Sequence, residues 1–220
     1  MKDIQIVIAR YKEDIGYLAT GLFDAYDVVI YNKGPPITDP AIVGRFPIVD
    51  LPNVGKIDHT ILWHIIQNYG AMHPATLFTC AGYRDIQHKK HRTEWIVNHL
   101  ATQGPKTVLA PWNEAKPVVE SHDLFTVCNY STAHASNRDS DIDCKTQPAA
   151  VRPFGNWYRQ VFGDVKVQKL FLWSIFAVSA EDVLKNPVSK YEEIISYLDS
   201  HPNPEAGHYV ERCWTTLFHA

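Results

Sequence analysis

The chain has 220 residues, enough for one domain or at most two small ones. Hydrophobic residues make up 45% and charged residues 20%, which excludes a disordered chain, a collagen and a coiled coil. With a formal net charge of −3 there is no strongly basic surface, so nucleic acid is not an expected partner.

The chain shows no sign of membrane insertion or export. No apolar run reaches the ~18 residues of a membrane-spanning helix, and residues 1–8 are too short and too alternating for a signal peptide. None of the four cysteines (Cys80, Cys128, Cys144 and Cys213) belongs to a C-x-x-C pair, so no structural zinc site is expected. We therefore expect a cytoplasmic protein with reduced thiols and no membrane span.

The first third of the chain alternates strands and helices. Apolar, β-branched runs predict strands over 4–9, 27–31, 48–51 and 75–80, as expected for strands buried on both faces. A short helix is predicted over 14–23. A clearer helix runs from Ile57 to Tyr69, where apolar residues recur at helical spacing, and it stops at Gly70. This alternation is typical of right-handed βαβ units.

The remaining elements are less regular. Helices are predicted over 91–100, 154–162 and 207–218, and a long strand over 169–178. Ser179 is expected to cap a short helix, and Asn186 with Pro187 to open another. Short strands are predicted near 107–110 and 124–128, before a polar stretch over 131–147. The fold class predicted is α/β, a mostly parallel central sheet with helices on both faces.

Polar clusters follow three of the predicted strands, at 10–13, 31–33 and 82–85. In open parallel sheets, ligands bind beyond the carboxyl ends of the strands. Arg10 and Lys33 end neighbouring strands, where cations can neutralise a diphosphate, and Tyr11 can pack on a base or sugar ring. Ordinary solvation and salt bridging at strand ends would explain the same residues.

Familiar catalytic motifs are absent from the sequence. There is no G-x-G-x-x-G after the first strand, no G-x-x-x-x-G-K-[ST] and no G-x-S-x-G. These absences argue against a dinucleotide dehydrogenase, a P-loop NTPase and an α/β serine hydrolase.

Carboxylates and histidines offer candidate metal ligands. The acidic stretch 139–143, which includes Asp141, resembles a D-x-D element that holds a divalent cation on a nucleotide-sugar phosphate; a solvated loop is the alternative. Asp85 follows a core strand, where a metal-binding acid is expected. His88 and His91 could share a helix face, although solvated histidines in a basic segment are the favoured interpretation.

Glu211 is the candidate general base. It lies beside the apolar stripe of the last predicted helix, and a carboxylate near a partly desolvated site can take a proton from a reacting group. A surface glutamate paired with a nearby cation is the plain alternative.

Five stretches, spread over nearly the whole chain, form a pattern in this order. They are Ile8-Ala9-Arg10-Tyr11-x-Glu13, Tyr31-Asn32-Lys33-Gly34, Pro52-Asn53-Val54-Gly55 leading into His59-Thr60-Ile61-Leu62-Trp63-His64, then Phe176-Ala177-Val178-Ser179 and Glu211-Arg212-x-Trp214-x-x-x-Phe218. The pattern is similar to the small glycosyltransferase domains encoded by chlorella viruses. It also resembles a related family of fungal and large-DNA-virus proteins of unknown function.

The resemblance implies a GT-A fold, with a Rossmann-like nucleotide-binding sheet, in one domain over 1–220. Residues of about 1–105 would form the nucleotide-sugar half and those of about 106–220 the acceptor half. It also implies transfer of a hexosyl or deoxyhexosyl group from a nucleotide-diphosphate donor, expected to be a UDP-sugar, to a glycan or other hydroxyl acceptor, with Mn²⁺ as cofactor. A viral member would work in the host-cell cytoplasm.

Site residues follow from the resemblance by position. Those expected at the donor are Arg10, Tyr11, Glu13, Asn32, Lys33, Asn53, Gly55 and Lys56. Glu211 would be the catalytic base, with Asp85 as the second candidate, and Asp85 and Asp141 would hold the metal. Two other functions stay open: a non-catalytic nucleotide- or carbohydrate-binding module, and a metal-dependent hydrolase built on residues of 85–91 and 139–143.

Overall fold

The computed structural model describes residues 3–21, 23–109, 123–127, 146–166 and 170–218, and within them a five-stranded sheet. The strands are β1 (Ile4–Arg10), β2 (Asp27–Asn32), β3 (Ile48–Asp50), β4 (Ala75–Cys80) and β5 (Phe176–Ser179). Their order is β3-β2-β1-β4-β5, with β1 to β4 parallel and β5 antiparallel to β4. The prediction of a mostly parallel central sheet is confirmed.

Helices cover both faces of this sheet, as predicted. They are α1 (Pro40–Val43), α2 (Lys56–Gln67), α3 (Gln87–Gln103), α4 (Phe154–Phe162), α5 (Ala180–Leu184), α6 (Val188–Ile195) and α7 (Glu205–Phe218). Side chains alternate along the strands, so Val7 and Phe78 pack with α2, α4, α6 and α7, while Ile6 and Leu77 pack with α1 and α3. Two hydrophobic cores result, one on each face.

The strand order creates a topological switch point at the carboxyl edge of the sheet. The chain runs from β1 to β2 and β3 on one side, then crosses to β4 on the other side of β1. Ligands of open α/β sheets bind at such a switch point, beyond the carboxyl ends of the strands. Since β5 is antiparallel and Phe176 pairs with Phe78, the residues just before β5 also lie at this edge.

Several elements differ from their predictions in type or in extent. The expected helix over 14–23 is a single 3₁₀ segment, Gly16–Thr20, and the helix predicted over 91–100 extends from Gln87 to Gln103. The strand predicted over 169–178 is only Phe176–Ser179, because Trp173 (φ +78°) and Ser174 (φ +48°) have a left-handed backbone that a strand does not accommodate. The strand near 107–110 is one bridge, Val108 to Ala177, and 124–127 form no strand.

The predicted caps had different outcomes. The Ser179 hydroxyl accepts a hydrogen bond from the N–H of Asp182 (3.1 Å), which confirms it as the N-cap of α5. Asn186 does not cap α6. Its side-chain amide instead donates to the carbonyl of Leu217 (2.7 Å), and Pro187 occupies the cap position.

The described part of the chain contains no helix that is long and apolar enough to cross a membrane. Cys80 and Cys213 are free thiols, while Cys128 and Cys144 lie outside the described residues.

Candidate functional site

The tips of β1, β2 and β3 are tied together by Arg10 and Asn32. The Arg10 guanidinium donates to Asn32 Oδ1 (2.7 Å), to the Pro35 carbonyl (2.9 Å) and to the Glu13 carbonyl (3.1 Å). Asn32 Nδ2 donates to Asp50 Oδ1 (2.9 Å). The two residues therefore lie together at the carboxyl edge of the sheet, and these polar groups hold the strand ends in place.

The turn after β1 is shaped by Glu13 and Gly34. Glu13 Oε2 accepts hydrogen bonds from the backbone N–H groups of Tyr11 (2.7 Å) and Lys12 (3.1 Å). Gly34 packs so closely that a Cβ built on it would lie 1.7 Å from the carbonyl oxygen of Tyr11. Tyr11 is consequently fixed, half-buried, at the tip of β1.

Asp85 ends the 3₁₀ segment Ala81–Asp85 that follows β4, and it lies across Gly82 from Glu13. A Cβ built on Gly82 would be 3.0 Å from Asp85 Oδ2 and 3.1 Å from Glu13 Cγ. Asp85 is exposed at the switch point. Among the residues the structure describes, no three His, Cys, Asp or Glu side chains form a group that could hold a metal ion, and Asp141 with the rest of 139–143 lies outside them.

Lys33 connects the end of β2 to the beginning of α2. Its side chain is buried (8% exposed), and Nζ donates to the carbonyls of Val54 (2.6 Å) and Lys56 (2.5 Å). Burial lowers the pKa of Lys33 to about 7, while nearby Asp58 opposes that shift. The ammonium group is thus engaged with α2.

The turn that opens α2 requires glycine. Gly55 is the N-cap with φ +59°, and a Cβ there would lie 2.6 Å from His59 Cβ and 2.8 Å from the carbonyl oxygen of Leu198. Lys56 follows with φ +48° and an exposed side chain, and Asn53 is half-buried. Because Lys33 donates to Val54 and Lys56, the predicted residues Asn53, Gly55 and Lys56 lie in one turn beside it.

Asp58 is a buried carboxyl group that the sequence analysis missed. Only 6% of it is exposed, and its Oδ1 accepts hydrogen bonds from Ser174 Oγ (2.5 Å) and Trp214 Nε1 (3.0 Å). Burial, followed by the charge of Glu211, raises the pKa of Asp58 to about 7. A carboxyl group that titrates near neutrality is typical of functional sites.

Glu211 and Arg92 hold the segment before β5. Glu211 Oε1 accepts a hydrogen bond from the backbone N–H of Trp173 (2.6 Å), and the side chain remains 19% exposed. Arg92 Nη1 donates to the carbonyl of Leu172 (2.6 Å), and its guanidinium lies 4.8 Å from the centre of the Trp173 ring. Burial lowers the pKa of Arg92 to about 10, and Glu211 opposes that shift. We call Lys33, Asp58, Arg92 and Glu211 the buried charge cluster.

Backbone strain coincides with this cluster. In the described part of the chain, the non-glycine residues with positive φ are Lys56, Trp173 and Ser174. Lys56 accepts a hydrogen bond from Lys33, and the other two are bonded to Glu211 and Asp58. Such strain costs about 1–3 kcal/mol for each residue and tends to occur at functional sites. Backbone strain and shifted pKa values therefore occur together at the same edge of the sheet.

A known protein family matches nearly the whole chain. Residues 6–220 match the family described as "Protein of unknown function (DUF3431)". The chain belongs to this family. No curated protein and no solved structure matches the chain. The family description states no activity, so a function must be argued from the site.

Proposed function

We propose that this protein is a glycosyltransferase of the GT-A type, which transfers a sugar from a nucleotide-diphosphate donor, a UDP-sugar, to a hydroxyl acceptor. Support comes from the sequence resemblance and from the switch point in the strand order of the sheet. The donor would bind at the carboxyl edge near Tyr11 and Asp85, and the acceptor near the buried charge cluster.

The observation that carries this proposal is the convergence of Asp58, Glu211 and the strained residues 173–174 at the carboxyl edge of the sheet. If the reaction inverts the sugar, the acceptor hydroxyl must lose a proton as the new bond forms, and a positioned carboxylate can accept it. Glu211 suits this role because the Trp173 N–H orients it while part of its side chain stays exposed. Asp58 is nearly inaccessible, so its part is to hold Ser174 and Trp214 in position through its hydrogen bonds.

The leaving diphosphate must also be stabilised. Asp85 offers exposed hard oxygen atoms at the switch point, and these suit a divalent cation such as Mn²⁺. Glu13 lies next to it, but its Oε2 already accepts two backbone hydrogen bonds, so Asp85 is the better metal ligand. When bound, the metal would neutralise charge on the diphosphate.

The test is the substitution Glu211→Gln, which preserves shape and removes the base. We expect nucleotide release from a panel of UDP- and GDP-sugars to fall by about 10²- to 10⁴-fold, because general-base catalysis contributes that much. Donor affinity, measured by calorimetry with Mn²⁺, should stay within about threefold, because Glu211 does not contact the donor. Glu192→Gln, at an exposed position of α6, is the matched control and should leave both quantities unchanged.

Other outcomes would replace the proposal. Full turnover in Glu211→Gln would remove Glu211 from catalysis. A wild-type protein that binds nucleotide but releases no sugar with any acceptor would be a binding module. A metal that stays with the purified protein in the absence of nucleotide would point to a hydrolase.

A further inference from the structure

Trp173 and His88 form an aromatic pair at the carboxyl edge of the sheet. Their ring centres are 4.3 Å apart at an interplanar angle of 36°, and both side chains remain partly exposed. Trp173 lies three residues before β5, whose first residue pairs with Phe78 of β4. The pair therefore lies beside the end of β4, on the side of that strand away from β1 and Tyr11.

Charged side chains from three helices hold this tryptophan in place. Arg92 of α3 donates to the carbonyl of Leu172, Glu211 of α7 accepts from the N–H of Trp173, and Asp58 of α2 accepts from the hydroxyl of Ser174. Trp173 and Ser174 both have positive φ, a backbone conformation that residues other than glycine rarely adopt. Packing alone does not explain why a partly exposed indole is held by a strained backbone. A functional requirement for the position of the indole would explain it.

His88 adds an unused polar atom to the pair. Its Nε2 is buried and has no hydrogen-bond partner among the described residues. Such atoms are uncommon, because buried polar atoms are nearly always paired. Burial and the neighbouring cations Lys89 and Arg92 lower the pKa of His88, which favours a neutral imidazole ring in the pair.

We propose that the Trp173–His88 pair is the ring-binding wall of a saccharide subsite, which takes the acceptor sugar. The apolar face of a pyranose ring packs on an aromatic ring, and the partly exposed indole and imidazole rings together offer such a surface. Glu211 bonds the backbone of Trp173 itself, so a sugar on this wall lies next to the proposed base. Only the identification of this sugar as the acceptor rests on the proposed function; the binding of a sugar to the pair does not.

The test uses the full chain labelled with 5-fluorotryptophan and followed by fluorine NMR. Methyl pyranosides (glucoside, galactoside, mannoside, xyloside and N-acetylglucosaminide) are added without nucleotide or metal. We expect at least one to shift the Trp173 resonance, which is identified by its absence in Trp173→Phe. His88→Ala should weaken binding of that sugar by up to about tenfold, the size expected for a lost ring contact. Trp95, an exposed indole on α3 (41% exposed), is the control and should not shift.

Two results would overturn this inference: no pyranoside shifts the Trp173 resonance, or uridine shifts it and sugars do not, which would make the pair a base-binding wall. The wild-type titration does not depend on a variant that folds. Because it needs no donor and no turnover, it can fail while Glu211→Gln abolishes sugar transfer, or succeed in a protein that transfers nothing.

Discussion

Gly34 allows the ends of β1 and β2 to meet. A Cβ at this position would lie 1.7 Å from the carbonyl oxygen and 2.5 Å from the carbonyl carbon of Tyr11, and backbone atoms cannot rotate away. We expect Gly34→Ala to force the two strand tips apart and to lower the free energy of unfolding by about 4 kcal/mol or more, measured by urea denaturation.

A second glycine provides the control for that experiment. Gly44 has φ −78°, and a Cβ there would be 3.4 Å from the carbonyl oxygen of Pro40. Gly44→Ala should change the free energy of unfolding by no more than about 0.5 kcal/mol. Equal losses in the two variants would mean that the contact with Tyr11 is not the cause.

At the same scale, sequence reasoning located Arg10 and Lys33 but not Asp58. Strand ends can be predicted from apolar runs, so the polar residues that follow them are easy to find. Asp58 carried a signal that was overlooked. With Ile61, Leu62 and Ile65 it shares the helical spacing of the buried stripe of α2, where a charge is unexpected. Its partners Ser174 and Trp214 are 116 and 156 residues away, which no local pattern reveals.

At the scale of elements, burial was predictable and conformation only partly so. Strands β1, β2 and β4 were predicted to within one residue because both of their faces are buried, which leaves a continuous β-branched run. The apolar stretch before β5 looked equally strand-like. Its backbone leaves the strand conformation instead, because it accepts a hydrogen bond from Arg92 and donates one to Glu211. Both side chains belong to helices that are distant in sequence.

Glu205 joins three segments of chain at the beginning of α7. Its carboxylate is fully buried and accepts hydrogen bonds from the N–H groups of Val127 and Ala149 (both 2.9 Å) and from Arg152 Nε (2.7 Å). In Glu205→Gln the amide NH₂ cannot accept one of these bonds, and Arg152 loses its counter-charge. We expect a loss of about 3–5 kcal/mol in the free energy of unfolding, the range for a broken buried ion pair, measured by urea denaturation.

Glu193 is the matched control for Glu205. It also forms an ion pair, with Lys190 (2.6 Å), but at a partly exposed position of α6, where 38% of its side chain is accessible. Because water screens such pairs, Glu193→Gln should cost less than about 1 kcal/mol. If Glu205→Gln were equally mild, the contacts of Glu205 would not be what holds 123–127 and 146–152 against α7.

For the whole molecule, the sequence indicated the sheet, its two covered faces and the edge at which polar residues collect. It did not indicate how those polar groups are used. Arg10 and Asn32 were expected to contact the donor, but in the structure their side chains form hydrogen bonds that join the strand tips. The difference arises because strand order and register decide which polar atoms already have partners, and both depend on contacts that are distant in sequence.

Buried histidines make the stability of the whole molecule depend on pH. Burial lowers the pKa of His59 and His64 to about 4 and that of His208 to about 3, from an ordinary 6.5. Between pH 6.5 and 4 the unfolded chain therefore binds more protons than the native protein. As the pH is lowered through this range, the free energy of unfolding decreases by up to about 1.4 kcal/mol per pH unit for each histidine. Asp58, with its pKa raised to about 7, acts in the opposite direction and offsets one of the three.

The variant His64→Gln tests this pH dependence. His64 is 2% exposed and its Nδ1 bonds the hydroxyl of Tyr31 (3.0 Å), so the variant should be less stable near neutral pH. Its slope of unfolding free energy against pH, from about pH 6.5 to about pH 4, should be smaller than that of the wild type by up to about 1.4 kcal/mol per unit. His91→Gln, at an exposed position of α3, should keep the wild-type slope. If His64→Gln kept that slope as well, His64 would be protonated in the native state at these pH values, and its burial would not explain acid unfolding.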